Sequence, residues 1–322
     1  MNEFKNRVFG CVAVKAINSN YNADFSGQPR TLPSGKVYAT DKALKYSIKN
    51  YLKHVYGDET IFYFKTLDEK LNPISLDEAY VKCFGDYPYQ GKKVDKVLVA
   101  KNLLSCLDVR LFGATFAGKT NVSLHGPLQI NHGVNVWHED NIYTEQITSP
   151  FSNKDDSKQT SSLDDGKGDS NNEKSMTTIG RQSKLEEGHY VHHFSINPQN
   201  LKDVASLAGD DAQVLSLEDI GKAKEAMRRG VTFYDSASKA GCENEMLVWL
   251  QLKEGSKVVL PNFMDLVTLD SEKDGGRYVY DFMRLKDRIK NIVDEIENIE
   301  VYYNRQFVFV KNLPEGTKEM DL

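Results

Sequence analysis

The sharpest chemical string in the 322-residue sequence is Gly113-Ala-Thr-Phe-Ala-Gly118-Lys119-Thr120, which matches G-x-x-x-x-G-K-[ST] letter for letter. Such a loop cradles nucleotide phosphates only where a strand leads in and a helix follows directly, because the helix's first amides and its dipole hold the anion. Here the residues after Thr120 alternate as a strand does and soon meet Gly126-Pro127. No apolar strand ending in Asp follows to hold magnesium, since VVLPNFMD is broken by proline. A P-loop nucleotide hydrolase, tested through Lys119, therefore stands behind other readings.

His189, His192 and His193 are the other compact nominees, but on a strand they alternate between faces. No carboxylate or cysteine accompanies them at ligand spacing, so no metal site is expected. The four cysteines, Cys11, Cys83, Cys106 and Cys242, stand far apart without a C-x-x-C pair and read as plain thiols. Neither G-x-S-x-G nor H-E-x-x-H occurs. The expectation is a protein that is not an enzyme and uses no cofactor and no metal.

Cations give a different signal. Lys42, Lys45, Lys49 and Lys53 fall within an arc of about 80° at the helical advance of about 100° per residue. Leu44, Ile48, Tyr51, Leu52 and Val55 fall on the opposite side. A lysine face on an amphipathic helix is most often a solvated surface. The preceding loop, NSNYNADFSGQPRTLPSG, adds Asn18, Asn20 and Arg30, and sites that track a nucleic-acid backbone combine cations with short polar side chains. With a net charge of −5, any such contact has to be a local patch.

These residues need elements to position them. Arg7 to Ile17 reads as a strand, Thr40-Asp41 as the cap of the lysine helix, and Gly57 as its stop. Thr60 to Thr66 reads as a strand, Leu67 to Gln90 as irregular, and Lys92 to about Leu107 as helical. Asn121 to Trp137 has the clearest period of 2, broken at Gly126-Pro127. Ser152 to Thr178 holds a single Leu and a single Met and no aromatic residue, the composition of a disordered insertion. Later come a strand at HYVHHFSIN, a helix from Ser216 to Arg229 opened by the capping box Ser216-Leu-Glu-Asp219, and a strand at NEMLVWLQL. The tail reads as YVYDFMRL, a charged helix from Lys286 to Asn298, and EVYYNRQFVFV. Irregular alternation without a repeated βαβ unit predicts an α+β fold in a single domain over 1–322. No segment reaches the roughly 20 apolar residues of a membrane span, and Met1 to Cys11 lacks a secretory core, so a cytoplasmic protein without a membrane partner is expected.

Four strings in order, INSNYNADFSGQPRTLPSGKVYATDKALKYSIKNYL, DVRLFGATFA, SLHGPLQINHG and TIGR, resemble the backbone subunit of type I CRISPR surveillance complexes (Cascade), a branch of the RAMP superfamily, closest to subtype I-B. The resemblance spans most of the chain outside 152–175. It implies an RRM-like (ferredoxin-like) palm, a finger-like helical insertion over 60–110 and a thumb hairpin over 140–188.

Carried onto this sequence, the resemblance implies that Asn18, Asn20, Arg30, Lys42, Lys45 and Lys49 line the RNA groove. Arg110 falls in the Arg-x-Phe-Gly element with Gly113, and Gln129 in the SLHGPLQINHG string. Met176 or Ile179 would wedge between bases at the thumb, with Arg181 near a phosphate. The implied partners are the CRISPR RNA, target DNA reached through the guide, further copies of the chain, other Cascade subunits and a recruited nuclease-helicase. A second reading is a type III-like subunit that cuts target RNA through Asp24.

Overall fold

The structure is a computed structural model, and it describes residues 2–148 and 178–322. The first strand, β1 (Val8–Ser19), is apolar at almost every position because both of its faces are covered. Val8, Val12, Val14 and Ala16 enter one core, while Phe9, Cys11 and Ala13 enter another on the opposite face. The chain then runs through a structured loop to β2 (Tyr38–Ala39) and the lysine helix α1 (Asp41–Val55). Next are α2 (Leu76–Phe84), the small pair β3 (Tyr89–Gln90) and β4 (Lys93–Val94), α3 (Lys96–Leu104) and α4 (Leu107–Phe112). A hairpin of β5 (Gly113–Ala117) and β6 (Asn121–His125) leads to β7 (Leu128–Ile130), β8 (Gly133–Asn135), β9 (Ile142–Thr148) and the long β10 (Thr178–Ile196).

The second half holds α5 (Lys202–Ala208), α6 (Leu217–Phe233), β11 (Cys242–Leu252), α7 (Phe263–Leu266) and β12 (Thr268–Leu269). It ends with β13 (Tyr278–Asp281), α8 (Met283–Ile289), β14 (Ile296–Tyr303), β15 (Val308–Lys311) and β16 (Lys318–Met320). The main sheet runs β16-β14-β11-β1-β10-β8-β2, with β7 and β9 also paired to β10. Helices α1 and α6 cover one face. The three-stranded sheet β12-β13-β15 covers the other with α7 and α8. A third core, built on Phe62, Tyr80, Leu103, Leu104 and Phe116, binds α2, α3, α5 and the β5–β6 hairpin together. Helices and mostly antiparallel strands in separate layers agree with the α+β expectation.

Several local expectations change. Thr60 to Thr66 forms no strand: the amides of Phe62 and Tyr63 donate to the Asp108 carboxylate at 2.8 and 2.9 Å instead of to a neighbouring strand. The charged helix expected from Lys286 to Asn298 stops at Ile289, and from Ile296 the chain is strand β14, because Ile296 and Ile299 pair with the apolar edge of β11. A helix, α2, occupies part of the stretch expected to be irregular, held by a capping box at Ser75 and Glu78. Val55, placed on the apolar side of α1, is 43% exposed at the helix end. The Ser216 capping box forms as read, with Asp219 as its partner. The segment 152–175, read as disordered, lies outside the described residues.

The fold depends on close approach at Gly10, where a Cβ would stand 2.0 Å from the Val248 carbonyl and 2.6 Å from the Phe194 ring. Gly10→Ala should therefore destabilise the protein by about 1–3 kcal/mol, as overpacking does in a well-filled core. Urea unfolding measures this, and an unchanged midpoint would show that β10 and β11 can separate without loss.

Candidate nucleic-acid interface

The lysine face of α1 does not open onto bulk solvent along its length. Lys42, Lys45 and Lys49 form one wall of an open cleft of about 530 Å³, and the β5–β6 hairpin with Gln129 of β7 forms the other. Sheet geometry explains Gln129: Leu128 and Ile130 point into the core, so the residue between them faces out, where its amide donates to the Gly126 carbonyl at 2.8 Å.

The cations differ in how they are held. Lys42, at the mouth, is 85% exposed and stands 4.0 Å from Asp41. Lys45 is held at 3.0 Å by Asp41, one helical turn back. Lys49 reaches deepest and donates to the Tyr63 carbonyl at 2.7 Å. Burial pushes the Lys49 ammonium below its ordinary pKa, the nearby Asp108 carboxylate opposing the shift. Lys53, at the far end, is exposed and lies over the Phe64 ring. Tyr46, Thr115 and His125 line the cleft too. Helical spacing puts Tyr46 beside the lysine stripe, whereas Thr115 and His125 come from the hairpin and only the fold brings them there.

The loop after β1 is built rather than slack. Asn18 sits at φ 47, with its side-chain Oδ1 accepting from the Tyr143 hydroxyl on β9. Asn20 is buried, and its amide donates to the carbonyls of Gly27 and of Ser183 on β10, both at 3.1 Å. It therefore ties the loop to the β9–β10 hairpin instead of facing solvent. Arg30 donates from Nε to the Ala23 carbonyl at 3.1 Å. Asn22 accepts from both the amide and the hydroxyl of Thr40 at 2.9 Å, so Thr40 precedes α1 without capping it by its own side chain.

Asp24 is the hub of a turn: its Oδ1 accepts from the Ser26 hydroxyl at 2.7 Å and from the Ser26 and Gln28 amides at 2.8 and 3.0 Å. Those bonds, the Ser26 hydroxyl foremost, hold its carboxyl below the usual carboxylate range. This arrangement accounts for Asp24 without any chemistry. Among the described residues, no group of three or more His, Cys, Asp or Glu side chains is placed to hold a metal ion.

Arg110 is not brought to the cleft. It is 3% exposed and pairs bidentately with Asp219, Nε to Oδ2 at 3.0 Å and Nη2 to Oδ1 at 2.8 Å. Its other nitrogen donates to the carbonyls of Leu104 and Ser105 and to Gln213. Glu59 stands 3.6 Å from Nη2 as well, so the buried arginine clamps the end of α3 to the start of α6 and faces the protein's own oxygens.

Arg181 is exposed on β10, two residues from the Ser183 that holds Asn20. Ile179 lies in β10 at its start, and Met176 lies outside the described residues.

The phosphate-loop string resolves into the β5–β6 hairpin, with Gly118, Lys119 and Thr120 in its turn and no helix after it. The Lys119 amide donates to Asp77, and its ammonium lies over Tyr87. Gly113 is there for a different reason: at φ 81 its missing Cβ leaves room for the Leu124 carbonyl and the Gly126 amide across the hairpin. The histidines separate as the strand pattern requires. His189 bonds Glu245 at 2.7 Å, His192 bonds the Asn131 carbonyl at 2.9 Å, and His193 accepts from the Phe263 amide at 3.3 Å.

Comparison with solved structures finds the same class of fold. A chain of a "CRISPR RNA-guided surveillance complex, pre-nicking" is 12% identical with a TM-score of 0.55, covering 98% of this chain and 96% of that one. A chain of a "CRISPR RNA-guided surveillance complex" is 13% identical with a TM-score of 0.50, covering 96% and 94%. The sequence finds no match among curated proteins. The profile described as "CRISPR-associated protein Cas7" matches residues 6–282, and the chain belongs to that family.

Removing the Arg110 guanidinium leaves Asp219 buried without its cation, which costs about 3–5 kcal/mol in comparable pairs. Arg110→Ala should therefore lower the urea midpoint sharply. A change below about 1 kcal/mol would contradict the clamp. A second expectation concerns acid. Burial pushes His192 down to about 4, opposed by the Asn131 carbonyl and by Asp41, so the folded state holds it neutral. A depressed folded pKa gives stability that is present above the ordinary value near 6.5 and lost as pH falls through about 4. In His192→Phe that part of the acid-unfolding curve should flatten, and curves that stay parallel would count against it.

Proposed function

We propose that this Cas7-family chain is a structural RNA-binding backbone subunit of a type I, I-B-like Cascade complex. Copies assemble head to tail along the CRISPR RNA in the cytoplasm, beside other Cascade subunits. They present the guide for pairing with target DNA and leave cutting to a recruited nuclease-helicase. In this reading the main sheet is the RRM-like palm, residues 60–110 the finger-like insertion and 140–188 the thumb.

The observation that carries the proposal is the cleft in which Lys42, Lys45 and Lys49 of α1 stand opposite Gln129 in a chain of net charge −5. A concentrated cation row on an otherwise acidic protein suits a phosphate backbone and gives binding that depends on salt and little on sequence. Exposed Arg181 and the loop with Asn18 and Arg30 extend the same surface. Ile179 or Met176 is the thumb wedge in this proposal. Arg110 and Asn20 act indirectly, by holding α4 and the loop in place. The Asp24 nuclease reading and the Lys119 hydrolase reading draw no support from the geometry, since one residue organises a turn and the other sits in a β-hairpin.

Changing Lys42, Lys45 and Lys49 together to Ala should strip guide RNA from the purified protein. It should also reduce the slope of log affinity against log salt by about 2 on a single-stranded RNA, at roughly 0.7 per phosphate contact. Unchanged RNA retention across salt concentrations would sink the groove assignment.

A further inference from the structure

The loop after β1 presents one large apolar side chain wholly to solvent: Phe25 is 105% exposed. A lone exposed apolar residue is unremarkable by itself. This one is aromatic, and the turn that carries it is hydrogen-bonded. Asp24 receives three hydrogen bonds from Ser26 and Gln28, and Gly27 at φ 83 closes the turn, its amide donating to the Asp24 carbonyl at 3.2 Å. The loop is held at its root by Asn20 on Gly27 and Ser183, by Asn22 on Thr40 and by Lys239 on the Tyr21 carbonyl. The Arg30 guanidinium stands 6.0 Å from the Phe25 ring, with its own Nε fixed to Ala23. A solvent-facing aromatic ring on a hydrogen-bonded turn, beside a guanidinium, is an arrangement that single-strand binding sites use. The ring's face stacks on a base of any kind, and the cation meets the adjoining phosphate.

We infer that Phe25 is a nucleobase-stacking residue for an unpaired base of single-stranded RNA, with Arg30 on the neighbouring phosphate. The inference rests on the RNA-binding reading above and adds to it a contact that does not depend on charge. The occupant is argued from the guanidinium beside the ring, with Lys42 and Arg181 carried on the helix and the strand to which the loop is bonded. An apolar partner protein would gain nothing from that surround. Asp24, which the sequence offers as a possible catalyst, is on this view the residue that aims the ring.

The test uses the full-length protein and a single-stranded RNA carrying 2-aminopurine, whose fluorescence falls when the base stacks. Wild type and Phe25→Trp should quench the probe. Phe25→Ala should lose the quench and weaken binding by about five- to a hundredfold, the range that one base stacked on an aromatic ring supplies. Its salt slope should stay at the wild-type value, because no charge has been removed. Asp24→Ala should lose part of the quench.

If wild type and Phe25→Ala bind and quench alike, the stacking role is overturned while salt-dependent RNA binding by the α1 lysines stands. If Phe25→Ala leaves RNA binding intact but lowers the assembly size in light scattering, the residue docks against protein and the inference is equally overturned. If wild type binds no RNA, the RNA-binding reading and this one fall together.

Discussion

Everything in this structure depends on β1 being hydrogen-bonded along both edges and covered on both faces. Its register with β10 runs from Val8 opposite Ile196 to Ser19 opposite Leu185, and with β11 from Val8 opposite Gln251 to Ala16 opposite Cys242. A strand so placed has no solvent face, so it can carry no polar alternation, and successive residues feed two separate cores. That explains why α1 and α6 must lie on one side and the β12-β13-β15 sheet on the other. It also explains the cost of crowding at Gly10, where both neighbours meet.

A second consequence concerns reach. β10 is 19 residues long, and only its later part lies against β1. From Leu185 back to Thr178 it pairs with β9 instead. One continuous strand thus begins in the β9–β10 hairpin and ends in the core, and the loop after β1 is stitched to it through Asn20 and Ser183. The lysine helix, the loop and the hairpin are therefore placed relative to one another by hydrogen bonds and strand register, which hold geometry better than surface ion pairs do. The β1–β11 register shift between Ala13 and Val14 does related work. It leaves Glu245 as an extra residue, which the buried network accepts through His189 and the Tyr280 hydroxyl.

Much of this was legible in the sequence where a residue's neighbours in the chain are also its neighbours in space. The α1 amphipathicity, the Ser216 capping box and the period-2 run after Asn121 depend on local spacing, and they formed as read. Thr60 to Thr66 misled because its apolar and β-branched residues suit a strand, while the hydrogen-bond partner that decided the matter, Asp108, lies more than forty residues away. The segment from Lys286 misled for a similar reason, since its charges fit a helix but Ile296 and Ile299 had an open strand edge to join. Arg110 is the plainest case at the site. An arginine in a short motif looks like a ligand contact until Asp219, 109 positions later, is found against it. The cleft was half legible: the lysines declared themselves by spacing, whereas Thr115 and His125 could be found only through the fold.

The pairing of those lysines bears on how such a cleft can work. Lys45 and Lys49 are not free cations waiting for a partner; each already holds an oxygen of the protein, Asp41 in one case and the Tyr63 carbonyl in the other. The partly exposed Lys45–Asp41 pair is worth at most about 1 kcal/mol, so a phosphate can displace or share it at small cost. In return, both ammonium groups are held along the cleft before any ligand arrives, and less side-chain freedom remains to be lost on binding. A row of lysines splayed into water would carry the same charge but would have to be ordered one by one. The same economy applies to the loop, where the three bonds to Asp24 fix the backbone in advance. Asp41 and Asp24 are thus part of what makes a basic surface usable on a protein whose overall charge is negative.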